Sequence, residues 1–194
     1  MERSPDSVGV KLTLWLTSTV LMMTGLTISP SLPGMEDYFS DVDNSEFLVR
    51  LALTISALLI VIGSPITGQI VDQFGRKPLL VVSVIIYGLA GGAGLVVDSI
   101  WHLIIARAIL GFAAGGVATS VTTLIADYYD PTIRSRIMGI QSAFIGAGGF
   151  IFSSVGGILA TVDWRYPFAI YLSPLLLLPL ILFVLYEPLR EKTA

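Results

Sequence analysis

Apolar residues fall into six long blocks separated by short polar breaks. The blocks run over residues 12–32, 48–71, 78–97, 100–125, 135–160 and 166–186. Each reaches the roughly 20 residues that a helix needs to cross the hydrocarbon core of a bilayer. None alternates with a period of two, so the pattern predicts helices and not barrel strands. Lipid offers no hydrogen-bond partners, so a spanning backbone must satisfy its own N–H and C=O groups. The expected fold is an all-α membrane protein with six transmembrane helices. Residues 1–11 form an N-terminal segment, 12–186 the six-helix domain and 187–194 a C-terminal tail.

Composition agrees. The chain is 54% hydrophobic and 13% charged, whereas a soluble domain carries roughly a quarter charged residues. With no cysteine, neither a disulfide framework nor a thiolate metal site can be built. No basic stripe exists, which argues against nucleic-acid binding. Met1 to Lys11 is polar and mixed in charge, unlike a cleaved secretory signal, so the first block is expected to be a retained helix.

Charge placement sets an orientation, because positive residues favour the cytoplasmic side. Arg3, Lys11, Arg76, Lys77, Arg134, Arg136, Arg190 and Lys192 fall on one side when six helices are threaded. The other side carries Arg50 and Arg165 against Glu36, Asp37, Asp41, Asp43, Glu46, Asp98 and Asp163. Both termini are then expected to be cytoplasmic, in a bacterial inner membrane. Trp101, Trp164 and Tyr166 would mark the outer interface, and Trp15, Tyr128, Tyr129 and Tyr186 the inner one. Glycines concentrate on the third to fifth helices, where small residues let helices approach closely in lipid.

The densest chemistry lies between the second and third blocks, in Gly68-Gln-Ile-Val-Asp72-Gln-Phe-Gly75-Arg76-Lys77-Pro78. Gly68, Asp72 and Arg76 are spaced i, i+4, i+8, which predicts one shared helical face. Gly75 suits a helix end and Pro78 the first turn of the next helix. Arg76 and Lys77 would sit well at a helix C-terminus. Asp72 would not, and so wants a donor from elsewhere.

This G-x-x-x-D-x-x-G-R-K pattern resembles the signature of the major facilitator superfamily of secondary transporters, in the loop joining its second and third helices. Two further segments agree. Arg107 four residues before Gly111 looks like the family's fourth-helix pattern, and Ala126-Asp127-Tyr-Tyr-Asp130-Pro131-Thr-Ile-Arg134-Ser-Arg136 resembles the following loop in bacterial drug- and sugar-type members. Asp130-Pro131 reads as a cap and first turn of the fifth helix. The resemblance implies half of the family fold, a three-plus-three inverted repeat. It links Asp127 to Arg76 as a gate between cytoplasmic loops, with Arg134 and Arg136 nearby. It also favours a cavity-facing role for Arg107 in substrate binding or proton transfer. Snorkelling to the interface is the competing reading.

Further expectations follow from the resemblance. A central cavity should lie between the first and fourth helices, with Met22, Met23, Thr24, Thr27, Arg107, Gly111, Gln141 and Phe144 as candidates. This mostly apolar lining suggests a lipophilic or amphipathic solute. The fifth helix lacks the Gly-Pro pair of proton-driven drug antiporters, and no Asp or Glu lies deep in any block, which weakens proton antiport. The expected partners are membrane lipid, a small solute, and a second copy of the chain or a separate C-terminal half. In a self-pair, Asp72 would meet the start of the other copy's fifth helix. The alternatives are a fragment of a twelve-helix transporter or a non-transporting scaffold or regulator. An enzyme is not expected: the single histidine, His102, sits at a helix start without a nucleophile or zinc pattern. No cofactor or metal is called for.

Overall fold

A computed structural model describes residues 5–188. Arg3, Arg190 and Lys192, used above for orientation, lie outside the described residues. Helix α1 covers Val8–Leu26, with the Ser7 hydroxyl accepting from the Val10 N–H at 3.3 Å as its cap. A 3₁₀ turn, Ser29–Ser31, and a short helix α2, Leu32–Tyr38, continue the first span. Then come α3 (Ser45–Phe74), α4 (Arg76–Gly92), α5 (Ile100–Tyr128) and α6 (Pro131–Ala160). The sixth span starts as a 3₁₀ helix over Tyr166–Leu177 and ends as α7, Leu178–Val184. Among the described residues, six helices are thus long and apolar enough to cross a membrane. The chain is an integral, multi-pass membrane protein.

The boundaries differ from the hydropathy blocks in ways the chain explains. The first block is not one helix. Pro30 and Pro33 have no N–H, so the bonds to Leu26 and Ser29 that would continue α1 cannot form. The sixth span carries prolines at 167, 174 and 179, and the tighter winding runs between them. Pro65 lies inside α3 without ending it, so proline density and not a single proline goes with the change.

Packing is organised around α5, which is buried between α3 and α4, while α1 lies along α6 and α4 along the sixth span. Gly111 allows one close approach of backbone to backbone. A Cβ there would sit 2.3 Å from the Ser56 carbonyl oxygen of α3. Ser56 uses that proximity to donate its hydroxyl to the Arg107 carbonyl at 2.8 Å. Not every glycine packs this way. Gly68, Gly139 and Gly146 have nothing within 4 Å of a Cβ position. Gly68 of the charged turn therefore meets no neighbouring helix within the described chain. α6 is the least buried span, and Phe150 and Ile158 project from it at 77% and 69% exposure. Such a surface belongs in lipid or against another protein.

Candidate functional site: the motif loop and the buried arginine

The motif loop is a turn between two helices. α3 ends at Phe74, and Gly75 adopts φ 102°, a region an L side chain enters only with strain. Arg76 then opens α4. Gly68, Asp72 and Arg76 therefore do not share one helix face, and Arg76 and Lys77 stand at a helix N-terminus, not a C-terminus. A cation at that end opposes the helix dipole and calls for nearby anions.

Two carboxylates supply them. Arg76 Nε donates to Asp127 Oδ2 at 2.8 Å, joining the loop to the last turn of α5. Asp127 is itself unfavourably placed at a helix C-terminus, so each ion offsets the other's misplacement. The Glu187 carboxylate caps α4, accepting from the Arg76 and Lys77 backbone N–H groups at 2.7 Å each. Those are orphan donors of a helix start. Lys77 returns the arrangement. Its Nζ donates to the Leu182 and Leu185 carbonyls at 2.7 and 2.8 Å, closing the end of α7. The Tyr128 hydroxyl donates to the Tyr186 carbonyl, and the rings stack with centroids 4.5 Å apart. Gly75 is required twice, because a Cβ there would also meet Glu187 Oε1 at 2.6 Å.

The sequence reading placed Glu187 in a tail and missed it. Its bonds to Arg76 and Lys77 span more than 100 residues, and nothing local to Glu187-Pro188 signals them. Outside the membrane spans, burial raises the Tyr129 phenol to about 12, with the Asp6 carboxylate and Tyr186 adding to the shift. Its hydroxyl donates to the Pro5 carbonyl at 2.6 Å.

The second feature lies deep in the bundle. Arg107 is fully buried. Its guanidinium donates to the Thr24 carbonyl and lies over the Tyr171 ring at 5.1 Å. The Tyr171 hydroxyl donates to the Met23 carbonyl at 2.8 Å, and the Tyr87 hydroxyl to the Val20 carbonyl at 2.9 Å. α1 ends at Leu26, so Met23 and Thr24 hold two of its four orphan carbonyls. A mid-bundle cation is thus met by the negative end of a broken helix in place of a carboxylate. Nε and Nη1 of Arg107 have no partner among the described residues. Complete burial excludes snorkelling, because the head group never reaches an interface.

The other candidates scatter. Met22 and Thr24 line a groove of about 240 Å³ between α1 and α3, together with Ser56 and Ala57. Met23 belongs to the apolar core, and Thr27 is buried. Gln141 donates to the Ser18 hydroxyl at 2.8 Å, and Phe144 stacks on Trp15 at 5.3 Å, both across the α1–α6 contact. Gly111 faces Ser56, so these residues do not line one common cavity. Asp72 is exposed, as is Arg136, while Arg134 is half-buried. Asp130 precedes α6 without a side-chain capping bond, contrary to the expected cap. His102 is exposed.

The chain is 30% identical over 163 residues to multidrug resistance protein 1 of Bacillus subtilis, covering 84% of this chain and 41% of that one. It is 29% identical over 143 residues to the quinolone resistance protein NorA of Staphylococcus aureus, covering 74% and 37%. Among solved structures, the xylose transporter XylE from E. coli, inward open, superposes with a TM-score of 0.80 at 19% identity, covering 92% of this chain and 48% of that one. A bacterial homologue of the human lysosomal transporter Spinster gives 0.80 at 20% identity, covering 97% and 46%. The chain therefore spans less than half the length of these relatives. A model of the Major Facilitator Superfamily matches residues 14–194. That match and the fold agree with the charged turn between the second and third spans, and the chain belongs to the Major Facilitator Superfamily, a family of transporters and not of enzymes.

Proposed function

We propose that the chain is one half of a secondary transporter that moves a lipophilic or amphipathic solute by alternating access. The Arg76–Asp127 pair carries this reading. It ties the second-to-third loop to the end of the fourth span, beside the Glu187 cap. Such a knot fixes one end of the half while the opposite half moves against it. The apolar groove at Met22 and Thr24 supports an apolar or amphipathic solute, and two relatives are named for multidrug and quinolone resistance. Arg107, with two unpartnered guanidinium nitrogens, is the residue through which an anionic group or a proton would be felt. The motif end is the cytoplasmic one in this reading, in a bacterial inner membrane.

In this reading the half works as a self-pair, in complex with a separate C-terminal half, or as part of a twelve-helix transporter. The bare faces of α3 and α6 support each of these. Proteoliposomes holding the chain alone, or with a C-terminal half, are tested for uptake of amphipathic fluorescent probes. Uptake lost on Arg76→Ala or Arg107→Met supports the proposal. No uptake in either preparation favours the scaffold or regulator reading. Self-pairing is read from cysteines at Asp72 and Ile133, both exposed positions in a chain with no native cysteine. Absence of an intermolecular crosslink in membranes refutes it.

A further inference from the structure

A constant offset of 89 residues connects the polar anchors at the two ends of the bundle. It carries Tyr38 to Asp127, Gly68 to Gly157, Arg76 to Arg165, Pro78 to Pro167 and Asp98 to Glu187. Spans one to three thereby map onto spans four to six. We infer that Arg165 centres a second clamp, the repeat counterpart of the Arg76 clamp, which ties the two three-span units together at the end opposite the motif loop.

The contacts follow the offset. At the motif end, Arg76 opens the third span. It meets Asp127 from the end of the fourth at 2.8 Å, and Glu187 from beyond the sixth closes over its backbone N–H at 2.7 Å. At the opposite end, Arg165 precedes the sixth span. It donates to the Tyr38 hydroxyl, from the end of the first, at 3.2 Å, and to Asp98, from beyond the third, at 2.5 Å. Each arginine reaches from its own unit into the other. Chemical detail differs where the register does not. Asp98 takes the guanidinium, while the Arg165 backbone N–H is capped by Asp163 at 2.7 Å.

The Asp98 carboxylate is 80% exposed, so the ion pair alone is screened by water and salt. The rings hold the guanidinium in place. Its centre lies 4.4 Å from the Trp164 ring and 4.6 Å from that of Tyr38. Stacking between rings is a use of arginine that a lysine ammonium does not reproduce. Trp164 is itself anchored, since its Cβ lies 2.9 Å from where a Cβ on Gly34 would stand. Arg165 is therefore a positioning residue. With both ends tied, the six spans move as one body, as the alternating-access reading requires, although the clamp rests on the fold alone.

Hydrogen–deuterium exchange of the full chain in lipid nanodiscs, without solute, tests it. Its result is thus separable from any transport assay. Arg165→Ala and Asp98→Asn are expected to raise exchange at residues 36–44 and 95–99 by about twofold to fivefold, the range of an exposed, ring-supported pair. Amides at 74–77 and 185–187 should not change. Arg76→Ala should do the reverse. Arg165→Lys, which keeps the charge and loses the stacking, should protect less than wild type. Because Asp98 is exposed, its variant keeps the test valid if Arg165→Ala fails to fold. Unchanged exchange at residues 36–44 in Asp98→Asn, loosening spread equally to both ends, or full wild-type protection in Arg165→Lys overturns the assignment.

Discussion

Alanine substitution at glycines separates packing from bare surface, and Gly111 gives the sharpest case. A Cβ there would stand 2.3 Å from the Ser56 carbonyl oxygen and 2.7 Å from its Cα. Both are backbone atoms, so no rotamer change relieves the clash, and α3 and α5 must separate by about 1 Å, given ordinary carbon–carbon contacts near 3.5–4.0 Å. Overpacking of this kind costs about 1–3 kcal/mol. The shift also stretches the 2.8 Å bond from Ser56 to the Arg107 carbonyl, whose loss adds about 1 kcal/mol. At Gly146 nothing lies within 4 Å, so alanine there gains helix propensity of up to about 1 kcal/mol. For a chain of this size, 1 kcal/mol corresponds to about 2–4 °C in Tm. Thermal unfolding in detergent, followed by intrinsic tryptophan fluorescence, should show Gly111→Ala melting several degrees below wild type and Gly146→Ala at or above it. A Gly111→Ala chain within 1 °C of wild type, to be judged against that 2–4 °C scale, would refute the reasoning.

Three other outcomes are expected. Glu187→Ala removes both caps on α4 and should cost about 1 kcal/mol, discounted for exposure, with exchange rising at residues 76 and 77; Glu187→Gln, which keeps an acceptor, should lose less, and no loss at all in Glu187→Gln would deny a role for the charge. Tyr129 should make stability fall at alkaline pH. Its folded-state value of about 12 exceeds the ordinary 10.0, so the folded chain keeps a proton that the unfolded chain releases. Its contribution is complete below about pH 10 and is lost as pH rises towards 12, a slope that Tyr129→Phe should flatten in a pH series of unfolding curves. Arg107→Met should leave the helices folded, because an apolar side chain of similar length replaces a cation with two unpartnered nitrogens, whereas Arg107→Ala should lose about 2–4 kcal/mol through the cavity it opens; circular dichroism melts that rank them the other way would contradict the packing argument.

The amino-acid order by itself determined six spans and the turn at Gly75, while the link of Arg76 to Asp127 was implied by the resemblance to a known family. Length and apolarity decide a membrane span locally, and a charged turn between two such spans has few other readings. Tertiary structure decided the rest. Hydropathy could not show that Arg76 starts a helix instead of ending one, because the boundary depends on a single glycine's φ. Glu187 became a cap, and Arg165 the mate of Asp98 and Tyr38, only when ends distant along the chain met. Arg107 became a buried cation at the broken end of α1 only because α5 passes that break. Periodicity records which way a residue faces. Which partner it finds depends on how the helices cross.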